Sequence, residues 1–205
     1  MSNTMVAETS LRPETIARET PKMDLLTAIR GRRAVRAYTN QTVDRRTIER
    51  LLDAAVEAPS AMGLEPWAFV VLEGRDRLRR FSDDVKDGLR RGEGESSPHL
   101  REMLADPSFN IFYGAPALVI VCATSRQTQA AEDCCLAAQN FMLAAHAEGL
   151  ATCPIGLSRV WLNQPATKLR LGIPGEYVPV FPVILGHPAE RPASHGRLAP
   201  AVLWR

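Results

Sequence analysis

The feature that most constrains the fold is the run ALVIVCA at residues 117–123, which is apolar at every position. A strand with water on one face alternates apolar and polar residues, so this run predicts a strand buried on both faces. The segment at 129–148 is apolar nearly all round, which predicts a long helix in the core or at an interface. Strands and helices without regular βαβ spacing then predict an α+β sandwich with a mixed sheet.

Local patterns predict the remaining elements. Asp24 and Asp44 each precede apolar residues at helical spacing, which predicts helices that begin there. The charged segment 75–91 carries a narrow apolar stripe, and NQPATKLRLG predicts a further short helix. The runs AFVVLE and VPVFPVILG predict strands, and Pro182 in the second run favours an edge or a bulged position.

The composition excludes several classes of protein. A net charge of +2 gives no general reason to expect binding to nucleic acid or to an anionic membrane. No segment has the roughly 20 apolar residues that span a bilayer, and we expect no signal peptide. The four cysteines lack metal-site spacing, which favours buried free thiols, no bound metal and a cytoplasmic protein. Residues 1–22 predict a polar arm, and residues 23–205 predict one domain.

Three arginines follow the first predicted helix in the run RRAVRAY, at Arg32, Arg33 and Arg36. In an extended segment, Arg32 and Arg36 would point to one side and Arg33 to the other. Guanidinium groups bind phosphate through paired, charge-assisted hydrogen bonds, so the run is a candidate phosphate site. Taken alone, the run is also compatible with solvated surface arginines.

Three other segments have residue types that suit a bound heterocycle. The loop at 58–67 offers backbone groups and Ser60, although an ordinary helix-to-strand turn fits the same residues. The small residues at 153–156 would let a ligand approach the backbone, and a simple turn is the alternative. The rigid turn GHP at 186–188 precedes Arg197, and we assign its histidine no catalytic role.

In this order and spacing, the four segments resemble the nitroreductase family of flavoproteins over about residues 24–204. That family has R-R-S-x-R near the start, A-P-S-x-x-N-x-Q-P-W after the first long helix, a late glycine turn, and G-x-P followed by a basic residue. The resemblance implies a three-layer α+β sandwich with a mixed, mainly antiparallel sheet flanked by helices. It also implies an intertwined homodimer with FMN at the subunit interface.

The resemblance further implies which residues bind the cofactor. The implied FMN-binding residues are Arg32, Arg33, Ala34, Arg36, Ser60, Gly63, Pro154, Ile155, Gly156 and Arg197. Arg32, Arg33 and Arg197 would contact the phosphate, Arg36 would lie by the pyrimidine edge of the isoalloxazine, and the turn at 154–156 would face N5. No side chain is expected to be catalytic, because flavin N5 carries the chemistry and Arg36 tunes it.

The chain departs from the family pattern at three positions. Ala34 replaces a serine, which removes one hydroxyl donor from the phosphate region. Gly63 stands where the family usually has asparagine, and Glu65 stands where it usually has glutamine. As a carboxylate near the ring, Glu65 would oppose reduction of the flavin.

The resemblance implies an oxidoreductase that reduces small acceptors, either nitroaromatic or quinone-type, with NADH or NADPH. Its mechanism would be ping-pong through flavin N5, and the absence of a G-x-G-x-x-G motif agrees with one shared site above the flavin. The alternatives are a flavin-binding or sensing protein without significant turnover, and another flavin reaction of the same fold, such as dehydrogenation or dehalogenation. A domain without flavin is the plainest alternative, and segment 90–108 is a candidate cover for a cleft.

Overall fold

The computed structural model describes residues 23–92, 97–194 and 196–205. The helices of this part of the chain are α1 (Leu25–Gly31), α2 (Arg45–Val56), α3 (Arg75–Arg90), α4 (Pro98–Ala105), α5 (Thr128–Ala147), α6 (Arg159–Leu162) and α7 (Pro165–Leu171). The strands are β1 (Trp67–Glu73), β2 (Ala117–Ala123), β3 (Ala151–Pro154) and β4 (Val178–Gly186). The predicted arm at 1–22 and part of segment 90–108 lie outside the described residues.

The first two helices begin where the sequence predicts. The Asp24 side chain accepts a hydrogen bond from the backbone N–H of Thr27 at 3.0 Å, and the Asp44 side chain accepts one from Thr47 at 3.0 Å. Each carboxylate satisfies an N–H group that has no partner inside its helix. Both predicted helix starts are therefore confirmed. They could be predicted because capping depends only on residues close in sequence.

The four strands form one sheet in the order β1-β2-β4-β3, and every strand pair is antiparallel. Among the described residues, the predicted mixed character is limited to one isolated parallel bridge, between Ala34 and Thr152. All seven residues of β2 are buried, as the apolar run predicts. Leu118 and Ile120 point into one core and Val119 into another, since successive side chains of a strand point to opposite faces.

Helices cover both faces of the sheet, which confirms the predicted sandwich. The core on one face is formed with α2 and α5 and contains the fully buried Phe141. The core on the other face is formed with α3, α4 and α6 and contains Phe112. Burial of one such aromatic side chain contributes roughly 1.5–3 kcal/mol, so the two cores provide the main stabilisation of the sheet.

The edge position predicted for Pro182 is wrong, because β4 lies between β2 and β3. The bulged alternative is closer, since the register between β2 and β4 shifts beside Val121. The carbonyl of Pro182 accepts a hydrogen bond from Ile155, just beyond the end of β3. The carbonyl of Ile155 accepts from Ser158 instead of from an N–H at Pro182. Proline has no backbone N–H, and it is tolerated at position 182 because the carbonyl of Ile155, which would face that N–H, already accepts from Ser158.

One cysteine contradicts the prediction of four buried thiols. Cys122, Cys134 and Cys153 are buried, whereas Cys135 is exposed. Adjacent helical residues point about 100° apart, and this rotation carries Cys135 from the buried face of α5, where Cys134 lies, to the exposed side. Burial raises the pKa of the Cys122 and Cys134 thiols to about 12. None of the helices in the described residues is both long enough and apolar enough to cross a membrane.

Candidate functional site

The segment that follows α1 lies along the β3 edge of the sheet. The backbone N–H of Val35 donates to the carbonyl of Thr152 at 3.1 Å, beside the parallel bridge. Further along, Tyr38 forms an antiparallel bridge with Pro188, just beyond β4. These bonds fix the backbone that carries the three N-terminal arginines.

A glycine at the end of β4 lets this segment pack closely against the sheet. A Cβ atom on Gly186 would lie 2.6 Å from Cδ of Pro116 and 2.8 Å from Cδ1 of Tyr38. The Tyr38 hydroxyl donates to the carbonyl of Val35 at 2.8 Å, and burial raises the pKa of this phenol. Gly186 is therefore required by packing, and the predicted turn at 186–188 instead continues from β4 into the bridge between Pro188 and Tyr38.

Arg32, Arg33, Arg36 and Arg197, which we call the arginine cluster, collect positive charge at this edge. Burial lowers the pKa of the Arg32 guanidinium, and the charges of Arg197 and Arg33 lower it further. In the part of the chain that the structure describes, no carboxylate forms an ion pair with Arg32, Arg33 or Arg36. Repulsion among these guanidinium groups would be relieved by an anion such as a phosphate, so the cluster fits a phosphorylated ligand.

The side chains of the three N-terminal arginines have different neighbours, although Arg32 and Arg33 line the same cavity. Arg33 donates to the carbonyl of Arg30 at 2.6 Å and to Oγ of Ser194, in the C-terminal segment, at 2.6 Å. Arg32 and Arg36 instead both act on Cys153, opposing the rise that burial causes in its pKa. The guanidinium of Arg36 also lies 5.8 Å from the ring centroid of Tyr113. Arg36 is therefore held between the end of β3 and an aromatic ring.

The predicted turn at 153–156 begins as part of strand β3 and ends in a 3-10 turn at Gly156–Ser158. The prediction of a simple turn is therefore wrong for its first half. A Cβ atom on Gly156 would meet no described atom within 4 Å, so the space beside this backbone is open. The structure thus brings the turn and the arginine cluster to the same edge of the sheet.

Residues 60–65 form a second part of the predicted site, which we call the left-handed loop. Met62, Gly63 and Glu65 have φ angles of 54°, 65° and 46°, and only glycine adopts this region without strain. The hydroxyl of Ser60 accepts a hydrogen bond from the N–H of Glu65 at 3.0 Å. The loop is therefore held in an unusual conformation by bonds of its own.

The left-handed loop and the arginine cluster lie at opposite ends of α5. The backbone N–H of Ala61 donates to the buried carboxylate of Asp133, at 3.1 Å and 3.3 Å from its two oxygens, near the start of α5. Gly31 packs against His146, in the last turn of α5. Thirteen residues separate Asp133 from His146, which is about 20 Å along a helix. The chain does not bring the two parts of the predicted site together within one copy.

The structure adds four side chains that the sequence patterns did not indicate. Asp133 anchors the left-handed loop, Tyr113 contacts Arg36, and His146 and Arg191 lie beside Arg32 and Arg33. Neither Asp133 nor His146 stands out, since both are polar positions on a largely apolar helix. Arg191 lies six residues before Arg197, so its charge was the one available signal.

Comparisons of sequence identify similar proteins. The sequence model of the Nitroreductase family matches residues 29–187. A Methanothermobacter thermautotrophicus protein, provisionally named NADH dehydrogenase/NAD(P)H nitroreductase, is 31% identical over 87% of this chain and 85% of its own length. The 4-nitrobenzoate reductase of a Nocardioides species is 30% identical over 87% of each chain.

Solved structures give the same picture of the fold. A nitroreductase from Bacteroides fragilis with bound FMN is 30% identical and superposes with a TM-score of 0.75, covering 86% of this chain and 94% of that chain. A nitroreductase from Desulfitobacterium hafniense with bound FMN has a TM-score of 0.76 at 23% identity, covering 88% of this chain and 97% of that chain. The second likeness concerns the fold alone.

Proposed function

The chain belongs to the Nitroreductase family, and from this premise we propose that it is an FMN-dependent oxidoreductase. It reduces nitroaromatic or quinone-type acceptors with NADH or NADPH. The observation that carries the proposal is the arginine cluster, which gathers positive charge beside an open glycine turn at the sheet edge. The similarity to an FMN-bound nitroreductase and to a 4-nitrobenzoate reductase supports the cofactor and the class of acceptor.

The residues of the site bind and orient the cofactor. Arg32, Arg33 and Arg197 hold the phosphate, and Arg36 places a fixed positive charge by the pyrimidine edge of the ring. The FMN group, when bound, supplies two-electron transfer at N5 between the nicotinamide and the acceptor in a ping-pong mechanism. The space beside the backbone of Gly156 is open and would accommodate the ring, and Arg36 would stabilise negative charge there.

A homodimer with two shared sites is part of the proposal. One copy holds its left-handed loop and its arginine cluster about 20 Å apart along α5. A twofold pair with antiparallel α5 helices would bring the start of one helix beside the end of the other. Leu25, Leu26 and Trp204 are more than half exposed in one copy, and a partner would bury such apolar side chains.

The anaerobic absorbance spectrum of the purified protein tests the cofactor and its reduction. We expect a yellow protein whose flavin absorbance bleaches on addition of NADH or NADPH and returns when a nitroaromatic or quinone is added. A flavin that does not bleach with either nucleotide would contradict the enzyme. Bound FMN that stays unbleached would support a flavin-binding protein without significant turnover, the candidate that the altered residues Gly63 and Glu65 favour, whereas reoxidation by oxygen alone would contradict the proposed acceptors.

Complementation tests the shared site. Arg33→Ala disables the arginine cluster, and Asp133→Ala disables the anchor of the left-handed loop. If each FMN site uses one region from each copy, heterodimers of the two variants retain one intact site and recover about half of the FMN binding. Recovery no greater than the sum of the two homodimers would show that each site belongs to one copy.

The remaining assignments also belong to this proposal. Each subunit of the proposed dimer consists of a polar N-terminal arm at 1–22 and a single FMN-binding domain at 23–205. A cytoplasmic location agrees with four cysteines that are all free thiols.

A further inference from the structure

A cavity of about 60 Å³ beside the arginine cluster is lined by basic side chains from three separate segments. Arg32 and Arg33 come from the segment after α1, His146 comes from the last turn of α5, and Arg191 comes from the C-terminal segment. The described residues that line this cavity include no carboxylate. The cavity therefore gathers positive charge from segments that are distant in sequence.

Close packing holds the His146 ring in this cavity. A Cβ atom on Gly31 would lie 2.8 Å from Nε2 of His146, so the ring occupies space that only glycine leaves free. Arg191 donates to the carbonyl of Gly149 at 2.9 Å, and its second terminal nitrogen lies 3.4 Å from Nδ1 of His146. Since a guanidinium can only donate, Nδ1 accepts and the neutral ring carries its proton on Nε2.

The surroundings of His146 oppose a positive charge on its ring. Burial lowers the pKa of His146, and Arg191, Arg32 and Arg33 lower it further. Strand β3 contributes Ala151 and Thr152 to the cavity, neither of which titrates between pH 5 and 9. An anion bound among the three arginines and His146 would raise the pKa of His146, because its negative charge would favour the protonated imidazole.

We propose, on the basis of the proposed function, that His146 and Arg191 bind the FMN phosphate together with Arg32 and Arg33, and that His146 takes up a proton on binding. Protonation makes the Nε2–H of His146 a charge-assisted donor where Ala34 offers no hydroxyl. Because Nδ1 then no longer accepts, the N–H of Arg191 beside it also becomes available to the phosphate. Binding of the phosphate and binding of the proton then strengthen each other equally.

Titration of the flavin-free protein with FMN from pH 6 to pH 8.5 tests this inference. The measured quantity is the ratio of the FMN dissociation constant of His146→Gln to that of wild type, in which protonation of the ligand phosphate cancels. We expect the ratio to rise from about 1 at pH 8.5 to roughly tenfold at pH 6. Riboflavin, which lacks the phosphate, gives a ratio that stays near 1 at every pH.

Two further variants complete the experiment. Gly31→Ala displaces the imidazole and reproduces the effect of His146→Gln while leaving the histidine in the chain. His99→Gln, on the exposed face of α4, leaves FMN binding unchanged at every pH. In the wild-type protein, the NMR titration of the His146 ring moves to higher pH with FMN and does not move with riboflavin.

The outcomes separate this inference from the proposed function. A flat FMN ratio near 1, or an equal change with riboflavin, overturns the role of His146 while FMN binding stands. An NMR titration that FMN leaves unmoved overturns it even if His146→Gln does not fold. Absence of FMN binding by wild type at every pH overturns the proposed function and this inference together.

Discussion

The arginine cluster and the left-handed loop, at the two ends of α5, are built in different ways. The cluster has a backbone that adjoins β3 and β4 through interstrand hydrogen bonds, and its charges repel one another. The loop lies just before β1, and among the described residues it is held by its own backbone, by Ser60 and by one buried carboxylate, Asp133. The first region stores electrostatic repulsion, and the second stores backbone strain.

The difference shows which properties each region can lose. Removal of a charge from the cluster reduces attraction for an anion, while the sheet still fixes the backbone. Removal of the Asp133 carboxylate frees the loop, because its remaining bonds are internal. The cluster also follows the family pattern in its arginines, whereas the loop departs from it at Gly63 and Glu65. We therefore expect the largest effects on affinity from the cluster and smaller effects from the loop.

Arg33→Ala and Arg197→Ala give the largest expected effect. Loss of a charge-assisted hydrogen bond to phosphate costs about 1.5–3 kcal/mol, so the FMN dissociation constant rises about tenfold to a hundredfold. Flavin fluorescence during titration of the flavin-free protein measures this change. Arg79→Ala, an exposed arginine on α3, serves as the control and leaves the affinity unchanged. Equal FMN affinities for Arg33→Ala, Arg197→Ala and Arg79→Ala would contradict the proposal that the arginine cluster binds the phosphate.

Asp133→Ala tests the loop. It leaves the N–H of Ala61 without its acceptor, at a cost of about 1–3 kcal/mol in the free energy of unfolding. We expect a lower urea midpoint and an FMN affinity about fivefold to tenfold weaker. Asp133→Asn keeps an acceptor oxygen and retains most of both properties. A loss of stability with wild-type FMN affinity would show that the loop lies outside the flavin site.

Arg36→Ala separates binding from electronics inside the cluster. Its guanidinium is expected beside the part of the ring that becomes negative, so its loss lowers the two-electron reduction potential by about 30 mV, or about 1.4 kcal/mol. Spectroelectrochemical titration against a dye of known potential measures the shift. Equal potentials in Arg36→Ala and wild type would contradict this role, whatever happens to affinity.

Gly63→Asn and Glu65→Gln restore the family residues and give the smallest expected effects. Asparagine tolerates a φ of 65° better than most residues, so Gly63→Asn changes stability by less than about 0.5 kcal/mol. Gly63→Val, in contrast, costs about 1–2 kcal/mol. We expect Gly63→Asn to tighten FMN binding a few-fold and Glu65→Gln to raise the potential by less than Arg36→Ala lowers it. A lower potential in Glu65→Gln would contradict the expected effect of the carboxylate.

The fold was predictable where neighbours in sequence decide the structure. Asp24 and Asp44 cap helices through residues three positions away, and the uniform apolar run of β2 is enough to bury it. The prediction of an edge position for Pro182 was wrong, because the location of this proline depends on where β3 ends and on the hydrogen-bond partner of Ile155. Those facts involve three segments at once and leave no pattern in any one of them.

The candidate site was predictable to a different degree in its two regions. The arginines of RRAVRAY stand together in sequence, so a local concentration of positive charge was predictable, whereas the cavity that Arg32 and Arg33 share was not. His146 reaches the same place from the far end of α5, through a contact with Gly31 that only the packed helices create. The positive φ angles of the left-handed loop likewise could not be predicted from its sequence, although a glycine at position 63 is compatible with a positive φ.

Asp133 contacts the left-handed loop and His146 contacts Gly31, so the length of α5 fixes the distance between the two regions. In a twofold pair, the number of helical turns between these residues would set the spacing of both cofactor sites at once. Deletion of one turn would shorten that spacing by about 5.4 Å and misalign both sites, even if every side chain that touches the flavin were kept. Selection on this helix would therefore act on its length as well as on the identity of its residues.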